Sequence, residues 1–432
     1  MFFVNVGYRF ALDPSVTPDG GLILCSAMPR HQLERRKLRR YPYLEQRLFD
    51  PQLYLSGLDA TRATDHCAKL ATYPWFGVAD LPAFDSGQHR QSQWMETARQ
   101  RIRRIWPGTL PGDPQAIEAG VRECIDFQVR LDTWAVILPS PLTVDFTSDY
   151  SAELEWLDAG LRHLEFLEGV DAPIYATVAI SDRALVFADP SKNPILGLLL
   201  DQVSAREVNG IYLVLEQSGE DPNARQCGSS RTLRSLLYLV HRFANDCNLQ
   251  VGVNFVGAFA LACRAAGASW WASNWYKSLH RLRLGDTVAG GAVYPLYWSQ
   301  PSALDVNLEA DFDALAKADL SRIADPTPAC GGLLAAAAQG VASNTLPDWR
   351  YAKSNATAAI THFLQSAVQM DARLTALGVG TAQLAHVEAW LRDAEATAAW
   401  AGTTLPAGAK TRLSHVSEWF EAFSGYRLSH KV

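Results

Sequence analysis

Apolar residues in this chain come in short, nearly unbroken runs, each followed by a longer stretch with the spacing of an amphipathic helix. The runs expected to be strands are Leu48–Leu55, Trp134–Leu138, Ile174–Ile180, Gly210–Glu216, Leu249–Val256, Ser269–Asn274 and Ala292–Trp298. Ile211-Tyr212-Leu213-Val214-Leu215 is typical: it has no polar alternation, as expected of a strand covered on both faces. The helical stretches are Arg62–Leu70, Gln93–Ile105, Ala116–Arg130, Ala152–Leu167, Asn193–Ala205, Arg231–Asn245 and Phe259–Ala266. In the fourth of these, Leu154, Leu157, Leu161 and Leu164 form one buried stripe.

Repeated β–α units imply an α/β fold with a parallel sheet. Seven strands follow Leu48, and Leu22–Ala27 supplies an eighth, which predicts a closed (β/α)8 barrel of the TIM type. An open doubly wound sheet is the competing topology, but neither G-x-G-x-x-G nor G-x-x-x-x-G-K-[ST] occurs. Phe2–Phe10 and Leu22–Ala27, separated by Asp13-Pro14 and Pro18-Asp19-Gly20-Gly21, read as a hairpin or two short strands. After Ser302 the chain becomes Ala-rich and helical through Ala335–Ala338, Ala356–Met370, Gln383–Ala399 and Ser414–Phe423. The expected organisation is therefore an N-terminal β extension with a basic segment (1–44), a barrel (45–302) and an α-helical C-terminal region (303–432). Val387, Trp390, Leu391 and Ala394 in that region form a face for internal packing or for a protein partner.

Composition narrows the class. The 432 residues are 48% hydrophobic and 19% charged, which excludes a wholly disordered chain. No apolar run approaches the roughly 20 residues of a membrane span. Seven widely spaced cysteines without C-x-x-C suggest buried thiols rather than a disulfide framework, and no Cys/His cluster has zinc spacing. Together with an N-terminus that lacks a signal-peptide pattern, they point to the cytoplasm. No metal or cofactor is expected.

In a barrel, chemistry gathers at the C-terminal ends of the strands. Asp50, in Phe49-Asp50-Pro51-Gln52, and Glu216, closing a five-residue apolar run, are the candidate catalytic carboxylates. Each also has a structural reading: Asp50 as a turn residue capping backbone amides, Glu216 as the partner of a loop arginine such as Arg225 or Arg231. Ser140, Asp145, Thr147, Ser181 and Asp182 also follow strands. Asn254, Ser273 and Asn274 end later strands, and Trp271 and Trp275 offer flat faces for a sugar or base, so these five are the candidate substrate-binding residues. Net charge is −6, yet Arg30–Arg40 holds six Lys/Arg in eleven positions. Arg35, Arg36, Arg39 and Arg40 are the candidate nucleic-acid contacts; the same residues also read as a solvated helix face.

Three segments resemble the tRNA-guanine transglycosylase superfamily of (β/α)8 barrels, including its DNA-modifying relatives. Leu48-Phe49-Asp50-Pro51-Gln52-Leu53-Tyr54 is similar to a family strand ending in a base-contacting Asp. Tyr212-Leu213-Val214-Leu215-Glu216 resembles the strand leading to the base-recognition loop. Val251-Gly252-Val253-Asn254, with Ala258–Ala262 and Ala265–Ala268, resembles the strand–helix–strand unit before the nucleophile. The resemblance covers roughly residues 45–280. It departs at Trp271-Ala272-Ser273-Asn274, where the family's Asp nucleophile is missing, and in lacking the Gly-rich base-binding loop and the cysteine-rich zinc site. The resemblance implies a transglycosylase-like barrel acting on or binding a nucleobase or N-glycoside in DNA or RNA. The alternatives are a catalytically inactive barrel serving as a binding subunit of a nucleic-acid-associated assembly, and a glycoside hydrolase that uses Asp50 and Glu216 as an acid–base pair.

Overall fold

The structure is a computed structural model that describes residues 1–432 except 8–9, 83, 85–90, 168, 170, 222–223, 287–295, 309–310, 339–352 and 432. Its centre is a nearly closed barrel of eight parallel strands. These are β1 (Phe2–Val6), β2 (Gly20–Leu24), β3 (Arg47–Asp50), β4 (Val136–Leu138), β6 (Ile174–Ser181), β7 (Gly210–Glu216), β8 (Gln250–Asn254) and β9 (Trp270–Ser273), with a short strand β5 (Leu142–Thr143) added alongside β6. The hydrogen-bonded order is β3-β2-β1-β9-β8-β7-β6-β4. The seam between β3 and β4 is narrowed by one bond, Trp134 N–H to the Arg47 carbonyl at 2.7 Å. Helices between the strands cover the barrel, including Pro114–Arg130, Ser151–Glu165, Pro194–Ser204 and Ser230–His241.

Of the two N-terminal runs, Leu22–Ala27 contributes a barrel strand as expected, here β2, but Phe2–Phe10 neither forms a hairpin with it nor lies outside the barrel. β1 pairs in parallel with β2 on one side and with β9 on the other, so it belongs to the barrel wall. Both strands are buried along their whole length, which a hairpin lying on the surface could not provide. The connection between them, residues 7–19, reaches the dozen or so residues that a parallel crossover requires. The last expected strand also differs. Its described part, β10 (Leu296–Ser299), pairs antiparallel with β11 (Leu304–Asn307) outside the barrel; Ala292 to Pro295 lie outside the described residues.

Aromatic side chains fill the N-terminal half of the barrel interior, and each of three faces a glycine directly across a strand pair. Phe3 is registered with Gly20, Tyr175 with Gly210, and Trp270 with Gly252. A Cβ on any of these glycines would lie 2.1–2.5 Å from an atom of the opposing ring, too close to be accommodated without a shift. The ring of Trp270 packs 5.4 Å from Phe3 and 5.9 Å from Tyr175, and stacks on Tyr212 at 5.6 Å. Large rings thus pack into a narrow cylinder because small neighbours make room for them.

The C-terminal region is helical, with helices Asp311–Asp319, Gly331–Ala338, Lys353–Ala376, Thr381–Thr404 and Ser414–His430. It docks on the barrel wall through buried polar ties. Asp371 accepts from Trp271 Nε1 at 2.9 Å and from Arg264 Nε at 3.0 Å, and Trp419 Nε1 donates to the Cys227 carbonyl at 2.7 Å. Among the described residues no helix is long and apolar enough to cross a membrane.

Candidate functional site

Strand residues alternate between the barrel interior and the surrounding helices. Tyr212, Val214 and Glu216 therefore share the interior face of β7, and register carries that face to Thr177 and Ser181 on β6 and to Asn254 on β8. Above the aromatic half the interior becomes polar, and its centre is Asp50.

Asp50 is fully buried at the end of β3. Its Oδ2 accepts from the Tyr54 hydroxyl at 2.6 Å and from the Tyr212 hydroxyl at 2.7 Å; its Oδ1 accepts from the Gln52 amide at 3.0 Å. Burial raises its pKa to about 6 against the pull of these three donors. A carboxylate oxygen has two acceptor positions, and among the described residues Oδ1 uses one. The chain of bonds continues: Asn254 Nδ2 donates to Tyr212 at 2.7 Å, and Asn5 Nδ2 donates to Asn254 Oδ1 at 2.7 Å. Asn274 Nδ2 ties in the Asn5 carbonyl at 2.7 Å. The ends of β3 and β8 are each followed by a non-glycine residue in the left-handed region, Gln52 at φ 50° and Phe255 at φ 63°. Such backbone is costly and collects at ligand sites.

Glu216 ends β7, nearly buried. It accepts from Ser181 Oγ at 2.8 Å, from the Leu284 amide at 3.2 Å and from Ser218 Oγ. Beside it, at the end of β6, both Asp182 oxygens accept from the Gly219 amide at 2.9–3.0 Å. Burial raises the Asp182 pKa to about 6, with Glu216 and Glu220 adding repulsion.

Residues 274–284 cross over these strand ends. Leu282 bridges to Glu216, and Arg281 to Val256. The Arg281 side chain, 1% exposed, donates to Gln217 Oε1 at 2.8 Å and to the Ala224 carbonyl at 2.6 Å, and pairs with Glu220 at 3.5 Å. His280 lies between Gln226 Oε1 at 2.9 Å and Ser273 Oγ at 3.2 Å. Burial lowers its pKa to about 3, so it stays neutral.

The structure sorts the sequence candidates by place. Asp50, Glu216, Asn254 and Asn274 face the interior, and Asp50 and Glu216 each end a strand but bond to different groups: Asp50 to Tyr54 and Tyr212, Glu216 to Ser181 and Ser218. Ser273 faces His280 instead. Trp271 falls on the outer face by alternation, against Phe2 at 4.5 Å and Asp371, so the interior indole is that of Trp270. Trp275 is buried under Arg225 at 4.9 Å. Neither expected arginine partner reaches Glu216: Arg225 pairs with Asp305 at 3.2 Å, and Arg231 donates to the Val186 carbonyl. In the basic segment, Arg35 covers Phe84 and Arg36 covers Phe10, while Arg39 and Arg40 are exposed.

Asn5, Tyr54 and Tyr212 join the network without having been singled out by sequence. Asn5 had one visible signal, a lone amide in Phe2-Phe3-Val4-Asn5-Val6. Among the described residues no group of three or more His, Cys, Asp or Glu side chains is placed to hold a metal ion. Comparison with protein-family models, with curated proteins and with solved structures gives no match in any of the three, and the likeness to transglycosylases rests on the three segments quoted above.

Proposed function

We propose that the protein is a TIM-type (β/α)8 barrel that binds a nucleobase or its N-glycoside, within nucleic acid, at the C-terminal end of the barrel, and acts on it there. The observation that carries this reading is the setting of Asp50: a buried carboxyl with a pKa near 6, an unused acceptor position and a scaffold of two tyrosines and an asparagine. An ionised carboxylate accepts N–H donors from a base edge, and a carboxyl poised near neutrality can also exchange a proton. Arg39 and Arg40 would contact the phosphate backbone. Seven cysteines, all free, fit a cytoplasmic setting.

A second reading, a catalytically inactive barrel that binds within a larger assembly, draws on the segment 274–284. Its Arg281 is bonded to several groups across the strand ends, so ligand entry requires this cover to move. The C-terminal helices would then hold a protein partner. The test is to incubate the protein with single- and double-stranded DNA and RNA, measuring binding by fluorescence anisotropy and free-base release by chromatography. Release that disappears in Asp50→Asn supports the enzyme, and binding without release supports the inactive barrel. Neither binding nor release overturns both.

A further inference from the structure

Among the described residues the polar network has one unsatisfied side-chain atom. Asn5 is fully buried, and its Nδ2 donates to Asn254 Oδ1 at 2.7 Å and to the Leu279 carbonyl at 2.7 Å. Those partners fix which way the amide faces. Asn254 Nδ2 is committed to the Tyr212 hydroxyl at 2.7 Å, and Asn254 Oδ1 already accepts the Phe255 amide at 2.8 Å, so the atom facing Asn5 is an oxygen. Turning the Asn5 amide over would set its oxygen against two oxygens. Its Oδ1 is therefore a true acceptor, and among the described residues it has no hydrogen-bond partner. Buried acceptors are rarely left so, because the lost hydration is not recovered. This one belongs to the same bonded chain as Asp50.

We propose that Asn5 is a specificity-determining residue whose Oδ1 accepts a hydrogen bond from an amino or imide N–H on the edge of the bound base. The proposal rests on the nucleobase reading above and deepens it. Asp50 and Asn5 belong to one bonded chain and each keeps an acceptor position among the described residues, so the edge that would satisfy both is one of donors. The Leu279 carbonyl belongs to the covering segment, so the amide that reads the base also holds the cover in place. A base lacking an N–H on that edge would leave Oδ1 orphaned and bind more weakly, by about tenfold for one such bond.

The test is calorimetric titration of the full chain with free guanine, adenine, hypoxanthine, cytosine and unsubstituted purine, and with a single-stranded oligonucleotide carrying each base. Wild type is expected to prefer at least one amino- or imide-bearing base over purine by about tenfold, and Asn5→Leu to bring that ratio close to one. The free-base and oligonucleotide arms separate a free base from one held in a strand. If wild type binds no base in either form, the nucleobase reading fails and this inference falls with it. If bases bind and the ratio survives in a folded Asn5→Leu, the inference alone is overturned. Should Asn5→Leu not fold, a high-resolution crystal structure of wild type with the preferred base decides: a base N–H on Oδ1 supports the assignment, and a water there with the base elsewhere overturns it.

Discussion

The Tyr212 hydroxyl donates to Asp50 Oδ2 at 2.7 Å, joining β7 to β3 across the barrel interior. The two residues are 162 positions apart in sequence. The same tyrosine ring stacks on Trp270 below. One side chain therefore links the aromatic half of the barrel to its polar half.

The first prediction concerns the charge on Asp50. A carboxyl whose folded pKa, about 6, lies above its ordinary 3.8 is bound to a proton more tightly in the folded chain. Stability should therefore rise as pH falls from 6 towards 4, and the penalty for ionising the buried group is fully present above 6. The shift corresponds to about 3 kcal/mol. Asp50→Asn removes that slope. Thermal melts between pH 4 and 7 should show the wild-type minus Asn difference changing across this window and flat above it; a constant difference would refute the assignment.

Gly252→Ala tests the pairing of rings with glycines. The new methyl would overlap the Trp270 indole, which has no free side to retreat to. A loss of about 1–3 kcal/mol in denaturant unfolding is expected. Gly57→Ala, at a position with nothing within 4 Å of the added carbon, serves as the control and should stay near wild type.

Arg281 should matter more than any surface arginine. Arg281→Met removes the cation facing Glu220 and takes the donor from the Ala224 carbonyl and from Gln217 Oε1, at a cost of roughly 3–5 kcal/mol. Hydrogen exchange should quicken in 216–226 and 274–284 before the rest of the barrel loosens. Lysine should not rescue it, because one ammonium cannot reach the separate acceptors that the guanidinium fork spans.

For nucleic-acid binding, Arg39→Ala with Arg40→Ala should lower the slope of log affinity against log salt by about 1.5, whatever the sequence bound. Glu34→Gln frees Arg30 from a 2.9 Å ion pair and should not lower it. An unchanged slope in the double variant would remove this segment from the interface.

Much of the barrel was legible because buried parallel strands are apolar throughout, and Asp50 and Glu216 stood out as carboxyls ending such runs. Three things were not. β2 falls on the run expected to supply the eighth strand, but β1 was not expected in the barrel, because no helical pattern separates it from β2; what makes it a barrel strand is pairing with β9, more than 260 residues away. Trp271 and Trp270 are adjacent in sequence and only strand parity decides which one faces inward. Tyr212 sits in an apolar run where its hydroxyl gives no hint of a partner, since that partner comes from the opposite wall. Contacts across a closed barrel are set by register and stagger, which local patterns do not carry.

The most direct test of the account is the pH dependence of base affinity, measured by calorimetry on wild type and Asp50→Asn. If Asp50 accepts an N–H from the bound base, wild-type affinity should hold above pH 6 and fall as the carboxylate is protonated below it, while Asp50→Asn binds weakly with no such transition. Equal affinity and the same pH profile in both proteins would contradict it.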